Sequence, residues 1–440
     1  MEKRGTPTFA IVTTGFTRLA MTTAKSSGMS ALRIVEVPHP IGGIAADNVR
    51  AKASLAVDEI LRKRQSIETG DGAHGDNPKM GAGGIVTVAG SGADVTSAYY
   101  KNGWTDGLPI VPPTAEAVRE MLAGTDLAPS HVLGRMVPKN ALVTVEKLAI
   151  NAVMAGCRPT YLPVLIAAVE AMLETDFDLA GVHCSTGPHS PLLLINGPVR
   201  DQINVNYSSG ALGHGWQANA TIGRAVRLVL NNIGGAKIGE SDMTTLGMAE
   251  NYTYCFGENE ERNPWGPLHV EQGFGRDDST VSVLGAYAPE NVSDHVGIKP
   301  EEILAVAADV MTKLTRFHLL GMDHVISRDT LLVLGPEHAK SIADAGWSKA
   351  DVRRFVFERA SIPYETLRAL RRQIDASLLI DAPGGKRVPM FARPECLKIV
   401  VAGGPGKHSA YINSGHSKRL ITRMIIFPRN WHALVERYRE

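Results

Sequence analysis

The chain has 440 residues, with 46 Lys and Arg against 45 Asp and Glu and a formal net charge of +1. That balance excludes a broad electrostatic pull towards nucleic acid or anionic lipid, and an aromatic content of 6% excludes a base-stacking platform. A length of 440 residues exceeds one ordinary core and implies two or three domains of about 150 residues each. The first predicted elements are a strand at TFAIVTT, an amphipathic helix over residues 16–28 and a second strand at LRIVEVPHP. Apolar runs closed by Gly- or Pro-bearing turns are the pattern of a β-α-β segment. A helix over Asp47–Arg64 follows, with Ala53, Ala56, Val57, Ile60 and Leu61 on one face.

Residues 66–93 are dense in Gly and read as a linker. Beyond it AEAVREMLAG, VTVEKLAINAVMAGC and PTYLPVLIAAVEAML predict three helices. Between residues 181 and 280 helical periodicity is lost except in ANATIGRAVRLVLNNIGG. A long irregular stretch with interleaved Trp, Tyr and Phe is the pattern of a functional region rather than of disorder. The α/β alternation then returns: strand in STVSVLGAY, helix in EEILAVAADVMTKLTRF, strand-turn-helix in TLLVLGPEHAKSIADAG, helix in WSKADVRRFVFERA, strand-loop in LKIVVAGGPGKHSAYI and a closing strand in RLITRMIIF. The expected fold is multi-domain α/β, with Rossmann-like mixed or parallel sheets, helices on both faces and a loop-rich centre. The expected divisions are 1–65, the linker 66–93, a substrate region 94–280 and a C-terminal α/β region 281–440. TFAIVTT, STVSVLG, TLLVLGP and LKIVVAGG all end in Gly or Thr turns, which in one parallel sheet would share a ligand-binding carboxyl edge.

Four constellations carry candidate chemistry, and residues 181–271 are expected to supply most of one pocket. In GVHCSTGPHSPLLLINGP, Cys184 is a candidate nucleophile with His183 or His189 as its base; a buried, inert thiol is the competing reading. Asn196, Asn204, Asn219, Thr221 and Arg224 are candidate substrate ligands, with Arg224 expected near a helix N-terminus that would hold an anion. In GENEERNPW, Glu260 and the later His269 are acid/base candidates, whereas Glu258 and Glu261 read as solvated loop charges. In VVAGGPGKHSAYINSGHSKR the glycines before Lys407 and His408 form a candidate anion cradle. The spacing is not that of a P-loop, and no GxGxxG follows the first strand, so a nucleotide cofactor is unsupported. Asp106, in the rigid turn WTDGLP, either points at the site or serves the turn.

A divalent metal is a competing expectation, because His183, Cys184, His189, His214, Cys255 and His269 are ligand types within one region. Cys157, Cys184, Cys255 and Cys396 form no CxxC pair, which favours a reducing compartment over a disulfide framework. No stretch has the roughly 18–20 apolar residues of a membrane span, and the N-terminal apolar run is too short and polar for a signal segment. A cytoplasmic protein with neither membrane nor nucleic-acid partners is expected.

At TFAIVTTGFTRLAMTTAKSSGMSALRIVEVPHPIGG the sequence resembles the C-terminal half of the bacterial UGSC-motif (seleno)protein family, whose strand-helix-strand ends in a VPHPxGG-like element. The resemblance covers residues 1–65. The defining selenocysteine/Cys-Gly-Ser-Cys motif is absent from this chain, so that family's redox role does not carry over. WTDGLP, NATIGRA, the ENEE run and LGPEHA are similar to a companion group of uncharacterised bacterial proteins, which implies α/β architecture and a small-molecule role without a substrate. The expected function is an enzyme cleaving a bond in a small polar metabolite, of hydrolase or lyase type, by Cys/His nucleophilic or acid-base chemistry. The alternatives are a metal-dependent (Fe or Zn) enzyme using His and Cys ligands of the same region, with oxidoreductase chemistry as one option for it, and a non-catalytic small-molecule binder; a homo-oligomer is expected.

Overall fold

The structure is a computed structural model that describes residues 6, 8–68, 86–313, 327–370 and 374–439. Residues 69–85, the greater part of the expected linker, and 314–317 of the helix expected after residue 300 lie outside the described residues.

The first segment is β-α-β-α as expected. β1 (Phe9–Thr13) and β2 (Arg33–Val37) pair in parallel, joined by α1 (Thr17–Ser26) and followed by α2 (Ala46–Glu68). Val35, Val37 and Ala56 form its small core, with Phe9 and Ile60 against them. Val57 and Leu61, expected on the buried face of α2, are each 53% exposed. Two strands about 5 Å apart cover only a narrow stripe of a helix.

The chain continues through α3 (Gly92–Lys101), α4 (Ala115–Met121), the hairpin β3 (Val132–Met136) and β4 (Ala141–Thr144), α5 (Val145–Ala155), α6 (Leu162–Met172) and α7 (Leu179–Cys184). Next come β5 (Ser190–Asn196), α8 (Val199–Gln202), α9 (Gln217–Val229), β6 (Cys255–Gly257), α10 (Leu268–Glu271), β7 (Thr280–Ala286), β8 (Glu290–Ser293) and α11 (Pro300–Met311). The last part holds β9 (Thr330–Leu334), α12 (Pro336–Asp344), α13 (Lys349–Arg359), β10 (Ser361–Pro363), α14 (Tyr364–Ala369), β11 (Ile380–Ala382) and β12 (Gly385–Pro389), then β13 (Leu397–Val401), β14 (His408–Ile412), β15 (Ile421–Met424) and α15 (Trp431–Arg437). Local chemistry sets the helix ends. Thr144 Oγ1 accepts from Lys147 N at 3.3 Å to start α5, and Gly156 ends it at φ 85°. Ser348 and Asp351 form a capping box that starts α13.

Two four-stranded sheets carry the main body, ordered β15-β7-β5-β6 and β13-β9-β14-β8. Leu193, Ile195, Val281 and Val283 face a helical layer containing α5, α6 and α9. Leu192, Leu194 and Leu284 meet Leu331, Val333, Val400 and Ile412 of the second sheet. Leu332, Leu334, Ile399 and Val401 face α11, α12 and α13. The architecture is therefore helices, sheet, sheet, helices. All seven residues of β5 are buried, which is why SPLLLIN reads as a continuous apolar run rather than an alternating one.

The sheets are mixed: β5 and β6 are parallel, as are β9 and β13, whereas β7 runs antiparallel to β5. Of the four strands ending in Gly or Thr turns, β1, β7 and the pair β9/β13 lie in three different sheets, so only β9 and β13 share a carboxyl edge. β7 and β15 complete the sheet begun by β5, so the expected boundary at residue 280 passes through one sheet. HSAYI, expected as loop, is strand β14, paired with both β8 and β9. Among the described residues no helix is long and apolar enough to cross a membrane.

Candidate functional site

The residues expected in one pocket occupy the two ends of β5. Seven residues of strand span about 20 Å, with His183, Cys184 and His189 before β5 and Asn196 at its far end beside Glu260 and His269.

At the amino end, the fold gathers side chains distant in sequence. Asp178 sits in the left-handed region, φ 49°, and its Oδ1 caps α7 by accepting from Gly181 N at 3.3 Å. Its Oδ2 is 3.6 Å from His416 Nδ1. The His416 ring stands edge-on to His189, with centroids 5.1 Å apart, and Tyr287 packs on His189 at 4.5 Å. His189 Nδ1 lies 3.1 Å from Ser185 Oγ. Arg328 Nη1 donates to Gly415 O, and among the described residues Arg328 Nε is buried without a hydrogen-bond partner. Glycines make the room. A Cβ on Gly187 or Gly415 would collide with the His189 ring, and one on Gly181 would collide with His416.

The electrostatics follow from these contacts. The His416 ring beside it, helped by the Gly181 amide, holds the Asp178 carboxyl below its ordinary value. Burial raises the Tyr287 phenol, opposed by the nearby Arg328 cation. A hydroxyl on one imidazole, a second imidazole on a carboxylate, and Tyr and Arg donors form a set able to move a proton and hold developing negative charge.

His183 and Cys184 do not form the expected nucleophile pair. His183 is 2% exposed, and among the described residues neither ring nitrogen has a partner in hydrogen-bond geometry. Burial, then the Arg227 cation, pushes its pKa down to about 3, so the ring is neutral at pH 7. Burial and the Asp242 charge push the Cys184 thiol up to about 12, opposite to what a thiolate nucleophile needs.

The far end of β5 is a buried polar knot. Glu258, expected as a solvated loop charge, is 0% exposed. It accepts from Asn196 Nδ2 at 2.7 Å, Asn263 Nδ2 at 2.7 Å and Leu268 N at 2.8 Å, while burial pushes its carboxyl up. Glu260 Oε1 accepts from Gly197 N at 2.7 Å and Asn196 Nδ2 at 3.0 Å, and lies 3.2 Å from Arg200 Nε. Arg200 also donates to Glu261, at 2.9 and 3.2 Å, so Glu261 is paired rather than simply solvated. His269 is fully buried, its Nδ1 3.9 Å from Glu260 and its Nε2 3.3 Å from Arg276 O. The two carboxylates are engaged by donors of the chain itself, the pattern of a structural tie.

The remaining candidates are spread over other sites. Asn219 is buried and bonds the backbone of Asn206 and Ala211. Thr221 Oγ1 donates back to Gln217 O within α9, and Asn204 Oδ1 accepts from Trp216 Nε1. Arg224 is not at the start of α9 but further along it, paired with Asp106 through Nε and Nη2 at 2.8 and 3.0 Å. Asp106 thus serves both its turn, accepting from Leu108 N, and α9. The glycine cradle is filled from within: Gly406 N donates to Glu337 Oε1 at 2.7 Å. Lys407 Nζ donates to Gly297 O, and His408 bonds Asn291 and His295. Among the described residues no group of three or more His, Cys, Asp or Glu is placed to hold a metal ion.

Sequence reasoning located His189 but missed Asp178, Tyr287, Arg328 and His416, which lie in four separate segments. The one usable signal was the glycine-flanked histidine of NSGHSKR.

The parallel β1/β2 pair with its crossing helix corresponds to the stretch that carried the resemblance. Residues 1–65 match the model of the UGSC family. This UGSC-like segment contributes none of the residues of the His189 cluster, and it reaches the hairpin β3/β4 through Ser26 Oγ, which donates to Pro138 O at 2.6 Å. The comparison with curated proteins and that with solved structures gave no match.

Proposed function

We propose that the protein is an enzyme that cleaves a bond in a small polar metabolite by acid-base chemistry, of hydrolase or lyase type, with His189 as the proton carrier. The observation that supports this most is the 3.1 Å approach of His189 Nδ1 to Ser185 Oγ inside a cluster holding a second, carboxylate-paired imidazole. Ser185, rather than Cys184, is the side chain of this turn in hydrogen-bond reach of His189. Asp178 orients His416, and Arg328 and Tyr287 supply donors to a negatively charged oxygen.

The test works without a named substrate. A cell metabolite extract is incubated with the wild-type chain, with His189→Gln and with Cys184→Ala, and followed by mass spectrometry. A species consumed by the wild type and by Cys184→Ala is expected to be consumed about 10²–10⁴-fold more slowly by His189→Gln. Equal consumption by His189→Gln and the wild type would overturn the assignment, as would loss of turnover in Cys184→Ala alone.

A further inference from the structure

Helix α9 carries two arginines about one turn apart with different surroundings. Arg224 is engaged on one edge: besides Asp106, its Nη2 donates to Pro109 O at 2.7 Å. Arg227 is 8% exposed, and its Nε donates to Asn251 O at 2.8 Å. The nearest carboxylate oxygen, Asp242 Oδ2, stays 3.8 Å from Nη1, too far for a hydrogen bond. It is held there because Asp242 Oδ1 accepts from both the amide and the hydroxyl of Thr244, at 3.1 and 2.5 Å. Among the described residues neither terminal nitrogen of Arg227 has a hydrogen-bond acceptor. Arg227 is on the cavity lining and its terminal nitrogens are not among the sealed, unpartnered atoms of the interior, which leaves their donors for whatever occupies the cavity.

Arg227 lines a cavity of about 550 Å³, within the usual range for small-molecule sites. Its wall includes Ile238, Leu246 and Tyr252, which are 75%, 95% and 50% exposed. Large apolar side chains gathered at an opening mark a surface that is covered in use. Water would satisfy the guanidinium and leave that rim uncovered, and so would a bare inorganic anion. A planar two-oxygen head matches the free edge of an arginine fork.

We propose that this cavity binds an organic acid, with its anionic head on the terminal nitrogens of Arg227 and an apolar body against Ile238, Leu246 and Tyr252. The site is independent of the His189 assignment. The two are neighbours all the same: Thr245 N donates to Thr186 O at 3.0 Å, and Asn251 Nδ2 donates to His189 O at 2.9 Å.

The test is calorimetric titration of the full chain with phenylacetate, phenyl phosphate, acetate and inorganic phosphate. At least one phenyl compound is expected to bind saturably and about tenfold or more tighter than its head group alone, a difference of about 1.4 kcal/mol. Which of the two binds tells a carboxylate head from a phosphoryl head. Arg227→Lys keeps the charge but loses the fork, and is expected to weaken binding about tenfold. Leu246→Ser alters a side chain that is 95% exposed, so its folding is secure, and it is expected to weaken the phenyl compound while leaving the head group unchanged. No saturable binding of either phenyl compound, or unchanged affinity in Leu246→Ser, overturns the proposal.

Discussion

Cys184 and His189 stand five positions apart in one turn, and their surroundings give them opposite chemistry. Cys184 faces burial and the Asp242 charge, which together push its thiol up to about 12. His189 faces a hydroxyl and two other rings in space cleared by glycines. Iodoacetamide alkylation, read peptide by peptide, should therefore modify Cys184 at pH 7.5 about 10³-fold more slowly than an ordinary thiol of pKa about 8.5. The rate should keep rising well above pH 9, and Asp242→Asn should speed it by removing a like charge. Labelling of Cys184 at the rate of a free thiol at pH 7.5 would contradict this. At this scale the sequence shows which residues can react, because His, Cys and Ser are dense in the 183–190 turn. It does not show Asp178 or Arg328, whose roles depend on approaches across more than two hundred and about ninety residues, to His416 and Gly415.

At the level of elements, the polar knot at the end of β5 separates two kinds of ion pair. Arg200 is 3% exposed and holds the buried Glu260, the Glu258 carbonyl and the outward Glu261 at once. Arg200→Met leaves Glu260 as an uncompensated buried charge, and urea unfolding should show a loss of about 3–5 kcal/mol. Glu261, with 55% of its side chain exposed, is the control: Glu261→Gln should cost under about 1 kcal/mol. Equal effects from the two substitutions would remove the distinction. Helices were readable here because their caps and apolar spacing are local, as in α5 and α13. β6 was not, because three residues, CFG, carry no alternation. β14 was not, because Lys407 and His408 disguise the start of its buried run. The burial of Glu258 was hidden by its place in the charge run GENEER, where only the surrounding Asn side chains and backbone amides reveal an interior carboxylate.

For the whole molecule, stability should concentrate where the two sheets face each other. Leu194 is 1% exposed between them, and Leu194→Ala should lower unfolding free energy by about 2–5 kcal/mol in denaturant titration. Leu246→Ala, at a site 95% exposed, should change it by less than about 0.5 kcal/mol. A smaller loss for Leu194 than for Leu246 would show that the sheet-sheet layer is not the core. The α/β class and its apolar strands were legible from the sequence. The pairing was not: β7 joins β5 across a stretch containing α8, α9, β6 and α10, and β15 returns to the same sheet from the end of the chain. Such partnerships depend on long-range packing rather than on local propensity.

The complete burial of β5 has a consequence for how the strand tolerates change in length. With Leu192 and Leu194 on one face and Leu193 and Ile195 on the other, a one-residue insertion would exchange leucine for leucine or isoleucine on each side. Hydrophobic patterning usually fixes strand register, but here it barely tells the two settings apart. The polar ends do. A slip would turn Asn196 away from Glu258 and Glu260, or His189 away from Ser185 and the space left by Gly415. The two ends thus act as index marks for a strand whose middle has none, and an insertion there would damage the His189 site or the knot before it disturbed the core.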